Sequence, residues 1–278
     1  MSLLTDLASL AAAGILMVSG TLEAAAPQHN ASGDLFLVNR QWMVTEHYIP
    51  KGLIQAQVPG QVRRMKPEAA AALEEMFAAC REEAGVTLIS ISGYRSWSTQ
   101  NNIYRRKLRN VGGSVEKANE YVALPGASEH QLGLAMDVVS VNFRYLNKDF
   151  LETPEGKWVN DNCWRFGFIV RYRAEWTEET GCNAEPWHIR YLGRAHAEAV
   201  TRLYVPYETY AACARQLPDY VLENADADLL TALIGDMLQG NFEMAEVAQN
   251  SSTATAKAGR ALLAELTAYY AAGAAGEE

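Results

Sequence analysis

The sequence lacks the short motifs by which several large classes of protein are recognised. Its four cysteines form no Cys-x-x-Cys pair, which argues against a thiolate zinc site and a redox dithiol. It has no Gly-x-Gly-x-x-Gly and no P-loop, so no pattern indicates nucleotide binding. It has no long run of lysine and arginine, and its net charge of −9 argues against a nucleic-acid-binding protein. What is present is an ordinary globular composition, with 49% hydrophobic and 21% charged residues over 278 positions.

The apolar run near the N-terminus, residues 7–18, is shorter than the ~20 residues that a membrane-spanning helix needs. It has the length of a signal-peptide core, and the small residues 24–26 follow it as a cleavage pattern. Asp6 before the run and Pro27 after the small residues are untypical of such signals, and an Ala-rich helix packed on the domain is the alternative. We predict that residues 1–26 are an export signal. The protein is then extracytoplasmic, in the cell envelope or secreted, with membrane association only through this segment.

Helical and strand-like patterns alternate through residues 27–215. This order predicts an α+β domain in which helices flank a small central antiparallel sheet. The predicted helices cover residues 66–84, 98–110, 115–122 and 156–166, and the predicted strands cover residues 86–91, 134–141, 168–172 and 187–191. A stretch of Pro, Gly and short β-like runs before residue 60 predicts an extended lead-in.

Residues 216–278 are predicted to be a helical C-terminal appendage of unknown role. Two amphipathic stripes support this prediction, one from Leu229 to Leu238 and one from Leu262 to Tyr270, with a polar loop at 249–253 between them. Such stripes are typical of packing faces and not of cofactor sites.

Two of the five histidines stand close to carboxylates in strand-like contexts. His130 precedes Asp137 in the stretch SEHQLGLAMD, and His188 follows Glu185 in Glu-Pro-Trp-His. A catalytic zinc site uses three N or O protein ligands, leaves one position open, and has a base nearby. His130, Asp137 and His188 meet this requirement if their strands are neighbours, and Pro186 gives the backbone a bend that lets Glu185 approach. HExxH is absent, so the site is not carried on a helix.

The residues alone leave a second interpretation open. A histidine in an apolar strand is often a core or surface residue with no metal, and either short motif occurs by chance. His29, His47 and His196 are given no chemical role.

Taken together, three spaced motifs resemble those of the VanY-type D-alanyl-D-alanine carboxypeptidases, which are zinc metallopeptidases. Residues 128–137 follow the family pattern Ser-x-His-x-x-Gly-x-x-x-Asp, residues 185–191 resemble its second zinc motif, and Ser92-Gly-Tyr-Arg-Ser96 resembles its substrate-anchoring motif. The resemblance covers roughly residues 35–210. The segment Arg173-Ala-Glu-Trp176 departs from the family, in which a Pro and a Lys are common there.

The resemblance implies a role for each matching residue. His130, Asp137 and His188 would bind one Zn²⁺ per chain, and Glu185 would be the general base. Arg95 would hold the terminal carboxylate of the substrate, and Gln100 and Ser128 would donate or accept further hydrogen bonds. The implied reaction is removal of the C-terminal D-alanine from peptidoglycan stem peptides.

Three other functions share parts of this pattern. An LD-carboxypeptidase that trims tetrapeptide stems has the same motifs. A non-catalytic wall-binding module could keep the fold but would not need Glu185. An endopeptidase that cuts cross-bridges is disfavoured by Arg95, which suits a free carboxylate.

Overall fold

A computed structural model describes residues 31, 33–217 and 219–239. Residues 33–208 form one compact unit, called the main unit below, and Ala31 and the described residues from Thr209 onward belong to a second. The predicted export signal, His29 and the predicted stripe from Leu262 to Tyr270 lie outside the described residues.

The centre of the main unit is a four-stranded antiparallel sheet with the strand order β3-β4-β6-β5. Its strands are β3 (Leu88–Ser92), β4 (Ala135–Ser140), β5 (Phe168–Tyr172) and β6 (Glu185–Tyr191). A separate two-stranded sheet pairs β1 (Ile54–Gln55) with β2 (Arg64–Met65).

The helices of the main unit surround this sheet. They are α1 (Pro67–Ala84), α2 (Trp97–Asn110), α3 (Val115–Asn119), α4 (Pro154–Asn162), α5 (Thr177–Thr180) and α6 (Arg194–Leu203). Five short 3-10 helices cover Gly33–Leu35, Glu129–Leu132, Lys148–Glu152, Cys163–Phe166 and Ala174–Trp176. The α+β prediction is therefore confirmed.

Local signals in the sequence explain where the main helices begin and end. Pro67 occupies the first turn of α1, where its missing N–H has no intrahelical partner to lose. Gly85 ends α1 in the left-handed conformation, with φ of 68°, and its N–H donates to the carbonyl of Arg81. Ser96 caps α2 by accepting a hydrogen bond from the N–H of Thr99.

The hydrophobic core lies between the sheet and helices α1 and α4. Leu73 and Met76 of α1, Val138 of β4 and Ile189 of β6 are fully shielded from solvent within this cluster. The core covers the sheet on this side and keeps its strands rigid. Side chains carried by these strands are therefore held in fixed positions.

The structure differs from the sequence prediction in three places. The lead-in before residue 60 is partly core, because Val38 and Ala56 are buried in the main cluster. The helix predicted over residues 156–166 is divided into α4 and the 3-10 helix Cys163–Phe166, which ends at Gly167 with φ of 85°. The two-residue strands β1 and β2 were not predicted, because so short a pair leaves no periodic signal.

The described residues from 207 onward are mainly helical. Their helices are α7 (Tyr207–Ala214), α8 (Asp219–Asn224) and α9 (Ala227–Leu238). The predicted stripe corresponds to α9, in which Leu229, Leu230, Leu233 and Ile234 are buried. The boundaries of the domain at residues 27–215 and of the appendage at 216–278 stay predictions.

Within the described part of the chain, no helix combines the length and the hydropathy that a bilayer crossing requires.

Candidate metal centre

The metal centre is built on the pairing of β4 with β6. In this antiparallel pair Asp137 lies directly opposite His188. Residues opposite each other in such a pair project to the same face, so the carboxylate and the imidazole meet although they are 51 residues apart in the chain. Asp137 Oδ1 lies 3.1 Å from His188 Nδ1.

His130 reaches the same point from the 3-10 helix Glu129–Leu132, which precedes β4. Gly133 ends this helix with φ of 70°, and this turn leads the chain into the strand. The Nδ1 atom of His130 lies 2.9 Å from the carbonyl oxygen of Gly93, and its Nε2 atom lies 3.4 Å from Asp137 Oδ2. A Cβ atom at position 93 would lie 2.6 Å from the carbonyl oxygen of Arg64. Only glycine therefore lets the backbone at position 93 pack this closely against Arg64.

These three side chains fit a divalent zinc ion. One ligand atom from each of His130, Asp137 and His188 lies within 4.8 Å of the other two, and all three residues are buried. Two imidazoles and one carboxylate are the donor set of catalytic zinc sites. Burial and nearby Arg95 lower the pKa of His130 to about 4, so this imidazole is neutral at pH 7 and can act as a ligand.

The charges of the other two residues, Asp137 and His188, are strongly coupled. Burial by itself would raise the pKa of Asp137, but His130 and His188 outweigh burial and hold this pKa well below its usual range. Burial by itself would lower the pKa of His188, but hydrogen bonds with Asp137 and Glu129 raise it to about 9, so this ring must release a proton when a metal binds to it.

Glu185 lies beside the cluster of His130, Asp137 and His188. A regular strand would point residues 185 and 188 to opposite faces, since they are an odd number of positions apart. The register with β5 shifts here, because Val170 pairs with Ile189 whereas Tyr172 pairs with Glu185. This irregularity at Pro186 brings Glu185 Oε2 to 4.0 Å from His188 Nδ1. Burial raises the pKa of Glu185 to about 7, which is suitable for a group that exchanges protons near neutral pH.

One cavity of about 710 Å³ contains all seven residues that the sequence singled out. Arg95 follows β3, and its Nη2 atom lies 3.9 Å from Asp137 Oδ2. Gln100 lies on α2 and donates from Nε2 to the carbonyl oxygen of Ala123 at 2.7 Å. Ser128 is buried, and its side chain does not cap the 3-10 helix that follows it.

Glu129 is the main site residue that the sequence reasoning missed. Its Oε2 atom lies 3.2 Å from His188 Nε2, and its Oε1 atom accepts from Arg171 Nε at 2.8 Å. Burial by itself would raise the pKa of Glu129, but Arg171 and Arg190 outweigh burial and hold this pKa well below its usual range. The available signal was a carboxylate next to His130 inside an apolar run.

Two of the remaining histidines lie among the described residues, outside the cluster. His47 is exposed beside Glu46, and His196 is buried on α6. Trp187 lines the cavity. Residues at the open end of the cavity that carried no sequence signal include Lys107, Tyr121, Leu146 and Lys148.

Comparison with known protein families gives a match over residues 62–194 to the family described as VanY, D-alanyl-D-alanine carboxypeptidase. A D-alanyl-D-alanine carboxypeptidase of Enterococcus faecalis is 34% identical over 204 residues, which cover 67% of this chain and 71% of that protein.

Two solved structures are similar in both fold and sequence. The LdcB LD-carboxypeptidase is 40% identical, with a TM-score of 0.58, over 62% of this chain and 82% of LdcB. A vancomycin resistance D,D-pentapeptidase VanY in complex with Zn(II) is 33% identical, with a TM-score of 0.54, over 63% of this chain and 97% of that one. With the His-Asp-His cluster, the Zn(II) complex confirms the prediction of a zinc cofactor.

Proposed function

Because the chain belongs to the VanY family of D-alanyl-D-alanine carboxypeptidases, and is thus a zinc-dependent peptide hydrolase, we propose that it removes the C-terminal D-alanine from peptidoglycan stem peptides. The observation that carries this proposal is the short distance between Arg95, whose side chain is 16% exposed, and the ligand cluster. Arg95 Nη2 lies 3.9 Å from Asp137 Oδ2, inside the same cavity as Glu185.

We assign the metal to His130, Asp137 and His188, which converge from one 3-10 helix and two neighbouring strands. Zinc bound there supplies a Lewis acid that polarises a peptide carbonyl and lowers the pKa of water.

Glu185 is the general base in this proposal. It takes a proton from the attacking water and delivers it to the nitrogen of the leaving amine. Its partial burial and its position 4.0 Å from His188 Nδ1 support this role, because proton transfer needs a carboxylate within reach of the reacting atoms.

Arg95 sets the position of the cut. Its guanidinium lies in the cavity and can offer a planar pair of N–H groups to the terminal carboxylate of a peptide. Since the guanidinium is adjacent to the ligand cluster, a carboxylate held there puts the last peptide bond, and not an internal one, beside the ligands. This geometry favours a carboxypeptidase over an endopeptidase. Gln100 and Ser128 line the same wall and provide further hydrogen bonds to the substrate.

A second candidate is an LD-carboxypeptidase, and one specific observation favours it. The similarity to LdcB, at 40% identity and a TM-score of 0.58, is greater than the similarity to the D,D-pentapeptidase, at 33% and 0.54. The two activities differ in the configuration of the residue before the cut, which is D in a pentapeptide stem and L in a tetrapeptide stem.

Incubation of the zinc-loaded protein with tri-, tetra- and pentapeptide stems separates these activities. We expect one D-alanine to be released from the pentapeptide and none from the tetrapeptide. Release from the tetrapeptide alone would assign the LD activity. Release from neither, with zinc bound, would leave the non-catalytic wall-binding module.

We also propose that the protein acts outside the cytoplasm, with residues 1–26 as the export signal and residues 27–215 as the catalytic domain. Peptidoglycan is the expected partner, and it lies outside the cytoplasmic membrane. The intact mass of the protein recovered from a bacterial host tests the signal: loss of residues 1–26 supports it, and an uncleaved chain in the cytoplasm contradicts it.

A further inference from the structure

Glu129 occupies a position that the proposed reaction does not use. Its side chain is completely shielded from solvent, behind the His188 ring. Both carboxylate oxygens have partners: Oε2 lies 3.2 Å from His188 Nε2, and Oε1 lies 2.8 Å from Arg171 Nε and 3.2 Å from Arg190 Nη1. Glu129 borders the cavity, but its side chain has no exposed surface, so a substrate would have to displace one of these partners to contact the carboxylate.

The two nitrogens of His188 face different neighbours. Nδ1 faces Asp137 Oδ1 at 3.1 Å and Glu185 Oε2 at 4.0 Å, which is the side of the other metal ligands. Nε2 faces Glu129. A neutral imidazole carries one proton, and the nitrogen that binds a metal must be the unprotonated one. If Nδ1 is the ligand atom, Nε2 carries the proton and donates it to Glu129.

We infer that Glu129 is a positioning residue for the metal centre: it fixes the tautomer and the orientation of His188 so that Nδ1 is presented to zinc. This inference rests on the assignment of His188 as a ligand in the proposed function. A carboxylate that accepts from the outer nitrogen of a ligand histidine orients the ring and increases its basicity. His130 has the corresponding partner in the carbonyl oxygen of Gly93, so both ligand histidines are held from behind.

Two buried arginines hold Glu129 in place. Arg171 of β5 and Arg190 of β6 are both fully shielded from solvent. Arg190 is fixed in turn, because its Nη2 donates to the carbonyl oxygens of Asp34 and Phe36 at 2.7 and 3.0 Å. The carboxylate can therefore neither rotate away from His188 nor be replaced by solvent.

Arg171 is anchored by a second carboxylate, that of Glu208. Its Nη1 and Nη2 atoms donate to Glu208 at 2.9 and 2.5 Å, a bidentate pair. The two arginines and two glutamates of this buried group balance in charge. Glu208 lies beyond residues 62–194, so the group extends past the segment that matches the family. Glu208 therefore holds Arg171 in place, and Arg171 in turn holds Glu129.

The test is the zinc affinity of Glu129→Gln, measured by competition with a chromogenic chelator. Glutamine keeps the shape of the side chain but removes its charge. We expect zinc binding to weaken about 10- to 100-fold, which is the usual effect of removing an outer partner of a ligand. The matched control is Glu83→Gln, because Glu83 also forms a bidentate pair with an arginine, Arg165, but on the surface. Zinc affinity equal to that of the control would overturn the inference.

Because Glu129→Gln leaves two buried arginines short of a partner, this variant could fail to fold. Two further measurements need no change at position 129. In the zinc-loaded wild-type protein, ¹⁵N-histidine NMR should identify His188 as ligated through Nδ1 and protonated at Nε2. Glu208→Gln, whose side chain is 18% exposed, should weaken zinc binding less than Glu129→Gln does but more than the Glu83→Gln control. Ligation through Nε2, or no effect of Glu208→Gln, would contradict the proposed support.

None of these measurements uses a peptide substrate. If zinc binds as expected and no D-alanine is released, the proposed function fails and the role of Glu129 stands. If zinc binds and D-alanine is released, but the Glu129→Gln and control variants bind zinc alike, only the role of Glu129 fails.

Discussion

The two ends of the cavity are built differently. At the metal end His130, Asp137, His188 and Glu129 are at most 5% exposed, and every one of them has a hydrogen-bond or ion-pair partner. At the open end Lys107 stacks over the ring of Tyr121, which is 54% exposed, and Leu146 is 42% exposed. The metal end is held by the core, whereas the open end is held by surface contacts.

Unpaired polar atoms mark the boundary between these ends. Arg95 Nε and Gln100 Oε1 are buried without a hydrogen-bond partner among the residues that the structure describes. A buried polar atom without a partner costs free energy, so such atoms are expected where a ligand will supply the partner. The polar groups at the metal end thus already have partners within the protein, whereas Arg95 and Gln100 have atoms whose partners a bound substrate would supply.

A second contrast lies within the metal end, between the glutamates on either side of His188. Glu129 has two arginines and a pKa below its usual range, so it is a permanent acceptor. Glu185 is partly exposed to the cavity, and burial raises its pKa to about 7. The glutamate on one side of the His188 ring, Glu129, is therefore fixed as an anion. The glutamate on the other side, Glu185, can exchange a proton.

Loss of a ligand at the metal end should have the largest effect. We expect His188→Ala to lose zinc and all measurable turnover. Zinc at a hundred times its dissociation constant should stabilise the folded wild-type protein by about 2.7 kcal/mol, and this stabilisation should be absent in the variant. Thermal unfolding with zinc and with a chelator measures it. His47→Ala is the control, since His47 is exposed and has no part in the proposed site. Retention of stoichiometric zinc by His188→Ala would contradict the assignment of His188 as a zinc ligand.

Glu185→Gln should have the next largest effect. The variant keeps the ligands but cannot accept a proton, so we expect kcat to fall about 10²- to 10⁴-fold while zinc content is unchanged. Steady-state kinetics on a pentapeptide stem and metal analysis measure the two quantities. Glu178→Gln, on the exposed face of α5, should leave both unchanged. Turnover at the wild-type rate in Glu185→Gln would assign the base elsewhere.

Arg95→Lys should affect binding more than chemistry. Lysine keeps the charge but not the planar pair of donors, and a hydrogen bond to a charged group contributes about 1.5–3 kcal/mol. We expect KM to rise about 10- to 100-fold, with a smaller change in kcat and no change in zinc affinity. Arg105→Lys, on the exposed side of α2, serves as the control. A fall in zinc affinity in Arg95→Lys would place this arginine with the metal end instead.

Ser128→Ala should have the smallest effect. Its hydroxyl caps no helix, so its loss should cost kcat/KM about tenfold or less and leave stability unchanged, as expected for one neutral hydrogen bond. Ser114→Ala is the matched contrast, because Ser114 caps α3 through a hydrogen bond from the N–H of Lys117. That variant should lose about 1 kcal/mol of unfolding free energy with activity unchanged. If Ser128→Ala instead lost unfolding free energy and kept its activity, Ser128 would be a structural residue.

Local patterns predicted most of the sheet and the long helices. The strand Phe168–Tyr172 has the predicted bounds, and α1 begins at Pro67 and ends before Gly85, because capping and periodicity act over a few residues. The pair β1 and β2 and the 3-10 turns were missed, because segments of two to five residues carry too little periodicity.

The candidate metal ligands could be chosen from the sequence because few residue types bind zinc, and the resemblance of three spaced motifs to one family decided between this interpretation and a structural one. Glu129 could not be chosen, although it lies beside His130. In the sequence it is one acidic residue among many, and it gains its role only when Arg171, Arg190 and His188 surround it.

By itself the sequence determined which side chains are available: two imidazoles, an aspartate, a glutamate and an arginine, in or next to predicted strands. Only the tertiary structure decided that Asp137 stands opposite His188, that the register shift at Pro186 turns Glu185 to the same side, and that Glu129 lies behind the ring. The physical reason is that strand register and burial depend on contacts between residues far apart in the chain, which local patterns do not specify.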